Sequence, residues 1–321
     1  MLPASDYALG LKVGQGFSDE SAMRTARNYL GVTDEEIRRL EECVLGALKG
    51  GALEPKALKD AVGDASRNLG DEGKKRGQTT TLPLALGFLQ SQGRIRRIPV
   101  NGRLDQQRYA YTVWDPSPLF HSTYSREDAF AALAKRYFRW IGIAQVCHFQ
   151  WFSGLGVKAA REAVSRAGVV PLSDGSEWLL LPDDREEYDA FEVPSEPIYR
   201  LVSGLDSIFL LRRDLPNLVE DADKARSMVG EKGPQSVGSG LQDLSNHAIL
   251  DRGRLIGIWE YDSFAQEIVW VSFVGKPVAL KEEVKKTETY IREQLGDCRT
   301  FSLDSPESRK PVIQALRSMA T

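Results

Sequence analysis

TTTLPLALGFLQSQGRIRRIPVNGRLDQQRYAYTVW, residues 79–114, changes its periodicity halfway along. Leu82, Ala85, Leu86 and Leu89 recur at i, i+3, i+4 and i+7, the stripe of an amphipathic helix. Thr79, Thr80 and Thr81 offer hydroxyl caps at its start, and Pro83 fits a first turn, where its missing N–H has no partner to lose. After Gly93 the pattern becomes that of strands. Arg94 to Val100 reads as one strand, Asn101-Gly102 as a type I′ turn whose central residues both need positive φ, and Leu104 to Trp114 as the return strand. Tyr109, Tyr111 and Val113 alternate onto one face of that strand.

Two helices are predicted upstream. Thr33 stands three residues before Glu36, a capping box in which each side chain satisfies an orphan amide. Ile37, Leu40, Val44 and Leu48 follow at helical spacing, and Gly50-Gly51 ends the run. A short helix fits Lys56–Val62, while the glycine-rich, polar residues 63–78 read as a loop. Three helices and then a hairpin is the order of a winged helix-turn-helix module. In such a module the third helix enters a DNA groove and the hairpin is the wing.

The order repeats downstream. Ser125 and Asp128 can cap a helix carrying Phe130, Leu133, Tyr137 and Ile141 on one stripe. Helices at Ala144–Phe152 and Val157–Ala167 follow, then a hairpin from Val169–Leu172 through Asp174-Gly175 to Trp178–Leu181. Fewer basic residues on this hairpin point to scaffolding. Residues 183–189 read as an acidic loop and 229–241 as a mobile one. In the last third, His247–Leu250, Leu255–Asp262 and Glu267–Phe273 read as an antiparallel meander, followed by a helix after Pro277 and another at Ser308–Met319. The expected fold is α+β: tandem winged helix modules and then a small antiparallel β-barrel-like region. The expected boundaries are an N-terminal remnant at 1–32, modules at 33–118 and 119–195, and the β region with its C-terminal helices at 196–321.

Composition narrows the functions. The chain of 321 residues is 42% hydrophobic and 27% charged, as globular proteins are. It has no apolar run long enough for a membrane span and no signal-like N-terminus, so a cytoplasmic protein is expected. Cys43, Cys147 and Cys298, like His121, His148 and His247, lie too far apart for metal-ligand or disulfide patterns, and no cofactor is expected. Net charge is −3, yet residues 74–108 carry eight basic side chains against Asp105 alone. That window is +7 and the rest of the chain −10, a polarity suited to binding a polyanion with one face.

The candidate DNA contacts are therefore Arg94, Arg96, Arg97, Arg103 and Arg108 on the wing, with Lys74, Lys75, Arg76, Thr79 and Thr80 before the third helix. Arginine's planar fork pairs with phosphate or with the guanine edge, and helix N-terminal amides hold phosphate. Arg94 and Arg96 share one strand face and Arg97 takes the other. Other features read as structural. Gln90-Ser91-Gln92 finishes a helix before Gly93, and Phe149, Trp151 and Phe152 pack a helix. Gly14-Gln15-Gly16 and Gly238-Ser239-Gly240 lack the setting of a nucleotide loop. His247, and Asp206 near Arg212-Arg213, fit satisfied structural positions better than a polar cleft.

Several stretches resemble the prokaryotic winged helix family that includes the azinomycin-resistance type of DNA glycosylase. They are Arg136–Trp140, Phe149–Leu155, and the run from Asn246 through Arg252-Gly253-Arg254 to Asp262. The resemblance implies tandem winged helices forming a concave scaffold beside a small β-barrel. It also implies excision of alkylated bases, some from interstrand crosslinks, so double-stranded DNA, alkylated or crosslinked, is the expected partner. The family's catalytic signature is Gln-x-Gln or Gln-x-Asp in its first module, which positions water against the sugar carbon. Here Leu2–Tyr7 looks like the segment after that module, so the module is expected to be missing, and Gln90-Ser91-Gln92 sits in the wrong module to replace it. Three functions stay open: a glycosylase-family protein without its catalytic module, a non-enzymatic DNA-binding transcriptional regulator, and a protein-interaction scaffold.

Overall fold

The computed structural model describes residues 3–15, 19–100, 108–230, 233–236, 244–301 and 303–320. Arg103 and the expected Asn101-Gly102 turn lie outside them. The fold mixes helices with antiparallel strands and divides into two compact units, 1–133 and 134–321.

The first unit runs α1 (Tyr7–Gly14), α2 (Asp19–Leu30), α3 (Asp34–Leu48), α4 (Pro55–Val62), α5 (Gly70–Lys75), α6 (Leu82–Ser91), β1 (Ile95–Pro99) and β2 (Tyr109–Val113). Its core joins Met23 and Ala26 of α2, the Ile37–Leu48 stripe of α3, Leu58 and Val62 of α4, and Leu82, Ala85, Leu86 and Leu89 of α6. Ile95 and Tyr111 of the hairpin close it. The strands pair antiparallel from Ile95 opposite Val113 to Pro99 opposite Tyr109. Leu53 adds a further bridge, exchanging both backbone hydrogen bonds with Tyr111 at 2.8 and 2.9 Å.

Two local expectations are corrected here. Thr33 Oγ1 accepts from the Glu36 amide at 3.1 Å, but only this half of the capping box forms. The Glu36 carboxylate instead accepts two bonds from Arg67, at 2.8 and 3.0 Å, which hold it below its ordinary pKa. The expected loop 63–78 contains α5, whose acids Asp71 and Glu72 open the helix and whose Lys74 and Lys75 close it, matching the macrodipole. Gly73 hid that helix from the sequence. It is glycine because a Cβ there would run into the Gln78 carbonyl oxygen.

Helix α7 (Arg126–Ile141) begins in the first unit and ends in the second, with Ser125 Oγ accepting from the Asp128 amide at 3.0 Å. The second unit continues with α8 (Val146–Ser153), α9 (Val157–Arg166), β3 (Val170–Pro171), β4 (Leu179–Leu180), α10 (Arg185–Ala190), β5 (Tyr199–Val202) and α11 (Ser207–Leu210). The expected acidic loop is thus a 3-10 turn leading into α10, with Asp183 and Asp184 both on Arg139. β6 (Ser227–Gly230) and β7 (Gly233–Ser236) pair, so that β7 and the last two residues of β6 are strand where a mobile loop was expected over 229–241; residues 231–232 and 237–241 of that stretch lie outside the described residues.

β8 (His247–Asp251), β9 (Arg254–Asp262) and β10 (Glu267–Ser272) form the expected meander, and β5 adds to its β8 edge, giving the order β10-β9-β8-β5. α12 (Val278–Tyr290), extended by a π-helical turn at Ile291–Leu295, and α13 (Pro306–Ala320) end the chain. The barrel-like expectation is corrected: among the described residues this sheet is open, with β5 and β10 at its edges. Each face already has a helix to bury it. Leu280 and Val284 of α12 pack with Ile249, Ile256 and Trp259, and Ile313 and Leu316 of α13 pack with Ala248, Leu250 and Leu255. A sheet covered on both faces has no exposed apolar surface left for closure to hide.

Candidate nucleic-acid interface

The hairpin β1–β2 divides its arginines by strand geometry. Arg97 stands opposite Tyr111 on the tyrosine face, its guanidinium 4.6 Å from the Tyr109 ring centroid and 5.5 Å from that of Tyr111. Arg96 takes the other face, 5.6 Å from the Trp114 ring. Arg94, whose backbone carbonyl accepts from Trp114 at 2.8 Å, makes no side-chain hydrogen bond or ion pair among the described residues. Its charge acts on the buried Glu41 of α3. Burial pushes that carboxyl above its ordinary pKa, and Arg94 and Arg38 pull it back. Arg94, Arg96 and Arg97 are all exposed.

The other expected basic contacts among the described residues are occupied locally. Arg108 forks onto Glu54 at 2.9 and 3.0 Å. Lys74 pairs with Asp71 at 3.2 Å and Lys75 with Glu72 at 2.7 Å, while Arg76 lies over the Tyr29 ring at 4.0 Å. All of these ion pairs are exposed, and such pairs contribute little. Before α6, Thr81 is fully buried and spends its hydroxyl on the Arg67 amide at 3.0 Å, leaving exposed Thr79 and half-buried Thr80 nearest solvent. Gln90 Nε2 donates back to the Leu86 carbonyl at 3.0 Å, so that side chain is committed to its own helix. Phe149 is buried and Phe152 packs on Tyr137 at 5.0 Å, as helix packing requires, whereas Trp151 is 45% exposed.

The sequence reading missed a buried polar cluster in the second unit. His247, fully buried, accepts from the Gly204 amide at Nδ1 (3.0 Å) and stacks on Trp259 at 4.3 Å. Thr300 Oγ1 donates to Glu260 at 3.2 Å, as does Asn246 Nδ2. Burial pushes Glu260 up to about 7, His247 down to about 4 and the Cys298 thiol up to about 12. Arg309 spans the cluster's edge, bonding both Asp297 oxygens at 2.7 and 2.8 Å. Asp206, the other polar residue singled out from sequence, caps α11 by accepting from Ile208 at 2.9 Å.

A basic hairpin after a helix is a general DNA-binding feature, and comparison with known proteins narrows it. The family model "DNA glycosylase AlkZ-like" matches residues 2–269. This chain belongs to that family. Among solved structures it is similar to Streptomyces sahachiroi DNA glycosylase AlkZ, at 18% identity over 90% of this chain and 73% of that one, with a TM-score of 0.54. At that identity the likeness concerns the fold. No curated protein matches the sequence. Membership in the AlkZ-like family supports DNA as the partner and a glycosylase-like function. No described helix is long and apolar enough to cross a membrane.

Proposed function

We propose that this chain binds double-stranded DNA through the hairpin face that carries Arg94 and Arg96, and recognises alkylated or crosslinked duplex. The observation behind it is that both guanidiniums are exposed at the start of the hairpin and neither forms an ion pair among the described residues. In this reading residues 33–118 and 119–195 are winged helix modules, with α6 facing the groove and the second module a scaffold. Residues 1–32 lead in, and 196–321 supply the β region. Lys74, Lys75, Arg76, Thr79 and Thr80 add phosphate contacts at the start of α6, with the lysines exchanging their weak acid pairs for phosphate. Arg103 and Arg108 extend the contact along the wing, and the cytoplasm is the site of action.

No residue is assigned to bond cleavage. Gln90 and Gln92 are left out of it because Gln90 is tied back to Leu86 and residues two apart on a helix diverge. Fluorescence anisotropy with plain and N7-alkylated duplexes, paired with an abasic-site assay, tests the reading. Retention of both duplexes is expected, the alkylated one more tightly, with Gln90→Ala and Gln92→Ala matching the parent in both assays. Failure to retain either duplex at low salt would sink the proposal. Abasic-site formation lost in a glutamine variant would return the catalytic role to that residue.

A further inference from the structure

Residues 114–125, all within the first unit, connect β2 to α7 and hold one large apolar side chain out into solvent. Phe120 exposes 78% of its surface, more than any other described Phe, Tyr or Trp. A single exposed apolar residue is ordinary on a protein surface. The support and the neighbours of Phe120 set it apart. The Phe120 amide donates to the Ser117 carbonyl at 3.0 Å, and the Ser122 amide to that of Leu119 at 3.2 Å. Ser117 Oγ accepts from the Leu119 amide at 3.3 Å, and His121 meets the Phe120 ring edge-on with 4.8 Å between centroids. This turn packs on Gly93, where a Cβ would stand 2.9 Å from Ser117 Oγ and 3.6 Å from Leu119 Cδ1. A turn braced in this way has little further freedom to lose when its tip is buried, so the ring is preorganised for a partner.

The neighbours are cations. Arg94 follows Gly93, and its carbonyl accepts from the Trp114 amide at 2.8 Å, while the Arg96 guanidinium lies 5.6 Å from the Trp114 ring. The 117–120 turn therefore stands at the open end of the hairpin, where these two arginines begin β1. Both guanidiniums are exposed and form no ion pair among the described residues. An apolar tip beside unpaired cations suits a partner that is anionic outside and apolar within. A nucleic-acid duplex has that make-up, with phosphates on its rim and stacked bases inside. A purely apolar protein patch would offer nothing to the arginines, and a purely acidic one nothing to the ring.

We propose that Phe120 enters a DNA duplex as a wedge between two stacked base pairs, next to the backbone held by Arg94 and Arg96, and kinks the helix there. Proteins that bind in the minor groove insert Phe and other apolar side chains in this way, giving up stacking at one step for a bent duplex that meets more protein. Pyrimidine–purine steps unstack most readily. Phe120 thereby sets a preference among sites without reading a base edge. The inference rests on the DNA reading above, so bending is measured separately from retention.

The full chain is titrated into two duplexes of about 20 base pairs, one with a central TA step and one with a central A-tract. Energy transfer between dyes at the two ends reports bending, and 2-aminopurine beside the central step reports unstacking. Binding should bend the TA duplex, brighten its 2-aminopurine and favour it over the A-tract by about fivefold or more. Phe120→Ala should abolish the bend and the brightening and weaken binding to the TA duplex by about tenfold. The salt slope of binding should stay unchanged, since no charge is removed. Phe120→Leu, still an apolar wedge, should keep most of the bend. Both variants should melt with the parent, because the ring is exposed. Retention of both duplexes with no bend, or an equal bend from the parent and Phe120→Ala, would overturn the wedge and spare the DNA reading. Failure to retain either duplex at low salt would overturn both.

Discussion

Arg96 and Arg97 are adjacent in sequence and take opposite faces of β1, because a strand turns successive side chains to opposite sides. Arg97 lies over two tyrosines of the core-facing side, so its charge works as packing. Arg97→Ala should lower stability by about 0.5–1 kcal/mol in urea denaturation, with Arg96→Ala changing it less. Equal losses would contradict the division of faces. Glu260 makes a pH-dependent claim. Its carboxyl, ordinarily at 4.5, titrates near 7 in the folded chain, so between those values the folded state holds the extra proton. That group's contribution to stability therefore falls as pH rises through the window. His247, lowered from 6.5 to about 4, contributes the opposite slope, and the two offset each other over much of the interval. Glu260→Gln removes the first slope alone. Relative to the parent, the variant should gain about 2–3 kcal/mol between pH 4.5 and pH 7.5, and parallel urea curves at the two pH values would refute this.

At the scale of elements, what could be read in the sequence was what repeats with a local period. The stripes of α3, α4, α6 and α7, the alternating hairpin and the β8–β10 meander all carried their own pattern. α5 and α10 did not, being six residues each and rich in charge, and two glycines further obscured α5. β5 is only four residues long and owes its place in the sheet to pairing with β8, far along the chain. The arginine-bearing hairpin was legible for the same local reason. The His247–Glu260–Thr300 cluster was not, because its members meet across 40 and 53 residues of sequence. One local signal did carry a tertiary meaning. Gly93 ends α6 at φ +66°, where a Cβ would come within 2.9 Å of both Leu11 Cδ1 and Ser117 Oγ. Gly93→Ala should cost about 1–3 kcal/mol and displace the start of β1. An unchanged urea midpoint would mean that this junction is not constrained.

For the molecule as a whole, the sign of the total charge says little about DNA. A chain of net charge −3 concentrates +7 between residues 74 and 108, so attraction to a polyanion is local and the remainder of the surface opposes misplaced contact. Family membership points to the same partner. Counterion release makes the central claim measurable, since each phosphate neutralised contributes about 0.9 to the slope of log affinity against log salt. The decisive measurement is that slope for the full chain on one duplex, with the parent compared to the Arg94→Ala/Arg96→Ala double variant. The account predicts weaker binding and a slope smaller by about 2 units in the variant. Coincident curves across the whole salt range would contradict it and take the hairpin off the DNA.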